Sequence, residues 1–275
     1  MARILDYTGQ EAERTETVAS LSALRNSGRR LAQVTATTPE EAAAAEAAGI
    51  EMVVCMSDFV PAVREGSARV FVTSAIDFTG AITPDELLGM AFESLQAGAD
   101  AVITARRLEV VELLAAEDIP VMGHLGFVPK KATLYGGVRG VGKTAAEAAE
   151  LWQKFRRLED AGAFAVECEL IPAPVMSEIQ KRTGMATISL GSGPDADVLF
   201  LFTNDICGEG PRKPRHARAY ADLAAMQARI NQARVDALTA FRADVAAGSF
   251  PDASEVVNIE DQELAGFIDL LDQHD

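Results

Sequence analysis

Three times along the chain a helical stretch ends in Ala-Gly and runs straight into a short apolar segment. This recurrence constrains the fold more than any other feature. Ala48-Gly49 leads into 50–55, Ala97-Gly98 into 101–104 and Ala161-Gly162 into 164–166. Each Gly sits where a helix end favours a left-handed backbone, so these are junctions from helix to strand. Helix starts are marked too: Thr38-Pro39-Glu40-Glu41 and Thr83-Pro84-Asp85-Glu86 each offer a capping Thr, then Pro, then Glu at the third helical position. Between the helices, short and near-continuously apolar runs predict strands at 32–36, 50–56, 69–75, 100–104, 119–122, 164–169, 186–190 and 198–203. Such runs suit parallel strands buried on both faces. Eight of them separated by helices predict an α/β fold, a (β/α)8 barrel, although a doubly wound open sheet uses the same alternation.

The 275 residues fit a single barrel domain, with an N-terminal helix in 1–30 (about 11–27), the strands in 31–208 and C-terminal helices with an acidic tail in 209–275. Within that last part, a long Ala-rich helix is expected at about 215–247, and Ile259–Leu271 carries apolar residues at near-helical spacing. With 25 Lys and Arg against 41 Asp and Glu, the formal charge is −16, which argues against a nucleic-acid partner. No apolar run approaches the roughly 20 residues of a membrane span, and 1–17 lacks a signal-peptide pattern, so a cytoplasmic location without a membrane partner is expected. Cys55, Cys168 and Cys207 are odd in number and have no metal-binding spacing, which predicts reduced thiols.

Gly137-Val-Arg-Gly-Val-Gly142-Lys143-Thr144 fits the phosphate-loop pattern letter for letter. That chemistry needs an apolar strand to deliver the loop, and 129–135 is polar and basic, so a glycine-rich lid loop is the expectation and a nucleotide site the rival. In a barrel, functional side chains belong at the C-terminal ends of the strands. Polar residues there include Thr37, Thr38, Ser57, Asp58, Ser74, Asp77, Arg106, Arg107, His124, Glu167, Glu169, Ser189, Ser192, Asn204 and Asp205. Glu167 and Glu169 lie two apart on one strand and so face the same side, where a carboxylate can act as a general base. His124 follows an apolar strand between glycines that let a ligand approach closely.

The stretches Ile119-Pro-Val-Met-Gly-His-Leu-Gly-Phe-Val-Pro129, Tyr135–Thr144 and Ala161-Gly-Ala-Phe-Ala-Val-Glu-Cys-Glu-Leu-Ile-Pro172 resemble the ketopantoate hydroxymethyltransferase family of the phosphoenolpyruvate mutase/isocitrate lyase superfamily. The resemblance extends to Ser20–Ala36, Ile188–Gly193 and Phe241–Pro251. It implies a homo-oligomeric barrel in which magnesium chelates a 2-oxo acid, and the enolate attacks formaldehyde delivered by methylenetetrahydrofolate. By the same resemblance, Glu169 takes the acid/base position and His124 that of the active-site histidine. The metal ligands do not carry over. The first liganding Asp falls on Ser57, the second on Ala75, and the Lys-x-Glu pair on Ile103-Thr104-Ala105.

Asp58 and Asp77 lie one and two residues away from the lost ligands, and a one-residue slip turns a side chain to the opposite face unless a bulge compensates. The expectation is therefore a divergent, metal-independent relative that makes or breaks a carbon–carbon bond next to a carbonyl of a carboxylate substrate of 2-oxo acid type. Glu169 and His124 would be catalytic, and Arg106, Arg107, Ser57, Asp58, Thr37 and Ser189 would bind substrate, an arginine clamping the carboxylate in place of metal and Lys. Mg2+ enters only if Asp58 and Asp77 replace the lost ligands, methylenetetrahydrofolate remains open as a one-carbon donor, and no other cofactor is expected. The alternatives are a Mg2+-dependent hydroxymethyltransferase with those relocated ligands, and a non-catalytic binding or scaffold barrel.

Overall fold

The computed structural model describes residues 3–25, 27–76, 79–210 and 213–273. The chain forms two compact units, Met1–Ala221 and Asp222–Asp275. In the first, eight strands run in the order β1 (Leu31–Thr35), β2 (Met52–Met56), β3 (Phe71–Ala75), β4 (Ala101–Thr104), β5 (Val121–Gly126), β6 (Ala165–Glu169), β7 (Ala186–Leu190) and β8 (Val198–Phe200). All neighbours are parallel, and β8 pairs with β1 to close the barrel. The open-sheet alternative falls with that closure.

The helices that return β1 to β6 each to the start of the following strand are α2 (Pro39–Ala47), α3 (Val60–Gly66), α4 (Pro84–Gln96), α5 (Leu108–Ala116), α6 (Ala145–Asp160) and α7 (Ala173–Gln180), preceded by α1 (Val18–Ser22), whereas β7 leads to β8 through a turn. Thr38 and Thr83 cap α2 and α4 through reciprocal bonds with Glu41 and Glu86, as their spacing predicts. Gly49, Gly98 and Gly162 all have positive φ at the helix-to-strand junctions. The N-terminal helix is shorter than the predicted 11–27. Thr15 is held extended by bonds to the carbonyls of Arg69 and Glu51, and Thr17 caps the helix only at Val18. β8 also stops early, because Thr203 opens the short helix α8 (Thr203–Cys207).

Strand alternation sorts the core into two layers. Val53, Val72, Val102, Val121, Val166 and Cys168 face the helices. Met52, Phe71, Ala101, Met122, Ala165 and Val198 fill the barrel interior with Leu21 and Leu24. One pleat further along, Val54, Ile103 and Phe200 continue that interior. β5 and β6 instead present His124 and Glu167 at this level, because inward positions recur every second residue from Met122 and Ala165.

The second unit holds α9 (Leu223–Ala247), capped by Asp222, and α10 (Asp261–Asp272). α9 begins later than the expected 215, at the residue after its capping aspartate.

Candidate active site

His124 is in register with Glu167 across the β5/β6 pair, and Gly126 with Glu169. The imidazole nonetheless reaches along the strand, so that Nε2 lies 3.1 Å from Glu169 Oε2 and 3.1 Å from the Phe127 carbonyl. A carbonyl only accepts, so Nε2 carries the hydrogen and shares it between these two oxygens. Nδ1 faces the other carboxyl group, with Glu167 Oε1 at 3.8 Å. The imidazole is thus bracketed, one carboxyl group on each ring nitrogen.

The backbone makes this geometry rigid. Phe127 N donates to the Glu169 carbonyl at 2.8 Å, tying the end of β5 to the end of β6. Gly126 has φ +91°, and a Cβ there would stand 2.2 Å from the same carbonyl oxygen, so only glycine fits. Leu170 adopts φ 51°, an uncommon conformation for a residue with a side chain, and turns the chain sharply after Glu169. Its carbonyl accepts from Val141 N, anchoring the 137–144 loop at the end of β6.

His124, Glu167 and Glu169 form one wall of a cavity of about 580 Å³ at the C-terminal ends of the strands. Most of the remaining wall is apolar, built from Val54, Met56, Phe59, Ala75, Ile103, Ala105 and Phe202. Thr35, Thr37, Glu41, Thr203 and Asn204 supply the polar remainder. Neither Lys nor Arg is among the described residues lining it.

In this setting burial is the largest single influence on His124 and pushes its pKa down. The hydrogen bond that Nε2 donates to Glu169 and the charges of Glu167 and Glu169 together outweigh it, leaving the imidazole above its ordinary value. Burial raises the Glu167 carboxyl, against a smaller opposing effect of His124. Cys55, also on the wall, is pushed up to about 12 by burial and is a packing thiol rather than a nucleophile.

His124, Glu167 and Glu169 each offer an atom that could ligate a cation, all within 4.8 Å of one another. The two carboxyl groups nevertheless address opposite ring nitrogens, so one ion cannot meet all three without turning the ring out of its bonds to Phe127 and Glu169. At the positions where the resemblance implies magnesium ligands, Ala75 and Ala105 put methyl groups on the cavity wall, and Ser57 is not part of the lining. These residues do not fit a magnesium site of the family's kind.

The predicted site residues separate into two groups. Thr37, His124 and Glu169 share the cavity, and Glu41 holds Thr37 through its backbone N–H and hydroxyl. Ser57 and Asp58 occupy a single helical turn, Ser57–Phe59, outside the lining. Asp77 lies outside the described residues. Arg106 and Arg107 are not brought to this cavity; they border another one with Ile82, Glu109 and Lys130. The Arg106 guanidinium turns to the Ala81 carbonyl, and Arg107 faces Glu109 at 3.8 Å. Ser189 is buried and bonds the Gly193 carbonyl, holding the turn after β7. Phe59 and Phe202 also line the cavity without being expected there, since a polar strand-end pattern passes over apolar residues, and Glu41 reaches it from the first turn of α2, where its sequence signal is that of a helix start.

The Gly137–Thr144 segment is not presented as a phosphate cradle. Glu147 occupies its open amides: it accepts from Lys143 N and pairs with Arg139, while Thr144 caps α6. No strand delivers the segment, which follows the short turn Pro129–Lys131.

A closed parallel eight-stranded barrel with an imidazole between two carboxyl groups at the C-terminal ends of its strands defines a (β/α)8 barrel with its candidate active site where such barrels carry theirs. More narrowly, the chain belongs to the ketopantoate hydroxymethyltransferase family, whose model matches residues 54–253. It is 33% identical over 270 residues to the 3-methyl-2-oxobutanoate hydroxymethyltransferase of Thermobifida fusca, covering 89% of this chain and 94% of the relative. The enzyme of the same name from Chloroflexus aurantiacus is 30% identical over 283 residues, 94% of this chain and 98% of the relative. Among solved structures, 2,3-dimethylmalate lyase superposes with a TM-score of 0.56 at 15% identity, covering 81% of this chain and 89% of that one. Phosphonopyruvate hydrolase in complex with oxalate and Mg2+ gives 0.50 at 15%, covering 93% and 97%. These last two are likenesses of fold.

Proposed function

We propose that the protein is an enzyme that makes or breaks a carbon–carbon bond next to the carbonyl of an oxo-acid substrate, without a divalent cation at the family's position. The observation that carries this reading is the Glu169–His124 hydrogen bond at the wall of a largely apolar cavity. Glu169 moves the proton on the carbon beside the carbonyl, and His124, oriented by Phe127 and Glu169, holds the substrate with its ring facing the cavity. The substrate carboxylate meets His124 and the polar rim of Thr37, Thr203 and Asn204, because Arg106 and Arg107 border a different cavity. Methylenetetrahydrofolate is the one-carbon donor if the family's direction of reaction is kept. Homo-oligomeric assembly and a cytoplasmic location are parts of the same reading.

Deuterium exchange into 3-methyl-2-oxobutanoate, with and without added Mg2+, tests it. Exchange independent of metal and reduced about 10²- to 10⁴-fold by Glu169→Gln is expected. Unchanged exchange in that variant would remove Glu169 from the chemistry, and a strict need for Mg2+ would restore the ancestral mechanism.

A further inference from the structure

Glu167 is the group that neither the fold nor the function just proposed requires. Its side chain is 8% exposed, it lines the cavity, and His124 Nδ1, the cationic group that faces it, stands 3.8 Å away, too far for a hydrogen bond. The titratable groups around it are few. β5 offers His124, its own strand offers Glu169, and β7 alongside presents Ile188 in register and Leu190 beyond. The remaining charged residue of the described lining is Glu41. One imidazole therefore brings at most one positive charge to two carboxyl groups, and Glu169 holds the shorter contact with it.

Ionising Glu167 as well would place a second carboxylate, without a hydrogen bond, in an apolar cavity, which strongly favours the acid form. The same direction follows from its burial. Among the described residues its O–H then has no acceptor within hydrogen-bond distance, and it faces a cavity whose wall includes Ala75 and Ala105, which stand at the family's metal positions. A neutral carboxylic acid in an apolar pocket is a strong donor to an oxygen that gathers charge.

We propose that Glu167 is a further catalytic residue, whose carboxyl O–H donates a hydrogen bond to the substrate carbonyl oxygen as that carbonyl becomes an enolate. The role is the one the resemblance gives to magnesium, and it rests on the function proposed above. In the step, the C–H bond beside the carbonyl breaks and its proton passes to Glu169. The bonding pair forms the C=C bond, and the carbonyl π pair moves onto the oxygen that Glu167 holds. No oxidant or further reactant is needed.

Two measurements on the full chain decide the proposal. Carbon NMR of the protein carrying glutamate labelled at its carboxyl carbon should show at pH 7 an acid-form signal that Glu167→Gln removes; an ionised Glu167 at that pH overturns the proposal. In the exchange assay on 3-methyl-2-oxobutanoate, Glu167→Val should lower kcat about 10²- to 10³-fold with little change in KM. Glu167→Gln, whose amide N–H can still donate, should keep more activity and lose the alkaline fall that Glu167 ionisation imposes on the wild type. Thermal unfolding of both variants checks that the fold survives. Exchange at the wild-type rate in Glu167→Val overturns the role of Glu167 while leaving Glu169→Gln to judge the wider reading. Stimulation by Mg2+ that Glu167→Val abolishes makes Glu167 a ligand instead and overturns it too. Absence of exchange in the wild type removes the function and this proposal together.

Discussion

His124 and Glu169 are hydrogen-bonded although they are not opposite one another: the residue in register with His124 is Glu167, and the bond runs to the carboxyl group one pleat further along β6. The diagonal frees Nδ1 to face Glu167 and places both acids and the imidazole within one wall. Diagonal neighbours on facing strands stay within reach of long side chains, which is what lets a histidine and two glutamates form a row.

That row depends on Gly126. Gly126→Ala would bring a Cβ to 2.2 Å from the Glu169 carbonyl at a φ of +91°, so both strain and collision oppose it. A loss of about 2 to 4 kcal/mol is expected from urea unfolding, on the scale of backbone strain plus overpacking. Exchange activity of the fraction still folded should fall as well, because the carbonyl that must move belongs to Glu169.

Stability should decline as pH rises. Glu167 has a folded pKa above the ordinary 4.5, so its contribution is complete below that value and is lost as pH climbs through the raised one. His124 acts in the same sense, its contribution complete below 6.5 and lost as pH passes its raised folded value. Unfolding midpoints measured from about pH 5 to 9 should therefore fall toward the alkaline end, and Glu167→Gln should flatten the curve. Parallel curves for the two proteins would contradict the burial of an acid at this position.

Cys55 lines the cavity but should resist alkylation. With its pKa pushed up to about 12, it is almost wholly in the thiol form at neutral pH. Iodoacetamide at pH 7.5 should leave Cys55 unmodified by mass spectrometry, and Cys55→Ala should keep the exchange rate within a few-fold.

ATP should not raise the unfolding temperature. Glu147 sits on the amide of Lys143, where a phosphate would have to bind, and it is held well below the usual carboxylate range, at about 2, by Arg139 and the backbone amides. A shift that grows with ATP concentration would overturn this.

The order and kind of the strands were legible in the sequence because their signals are local: apolar runs of strand length, Thr-Pro starts and glycine ends. The N-terminal helix is shorter than its sequence suggests because Glu11 and Ala12 pair back with Leu5 and Ile4 and Thr15 bonds Arg69 and Glu51, contacts that no helical spacing reveals. Glu167 and Glu169 facing one side follows from the strand period alone. That Arg106 would turn to the Ala81 carbonyl was not legible, because both side-chain directions are open at the end of a strand until the neighbouring loop is placed. Likewise, the eight-letter phosphate pattern says nothing of Glu147, whose carboxylate reaches back from α6 to occupy it.

The bond from Phe127 N to the Glu169 carbonyl also has a thermal consequence. The reactive wall is borne by strand ends stapled to each other, so no hinge lies between its members, and heat reaches it only by opening the barrel. The Phe127 amide should then be among the slowest to trade its hydrogen for solvent deuterium, and catalytic output should vanish together with the barrel instead of fading ahead of it.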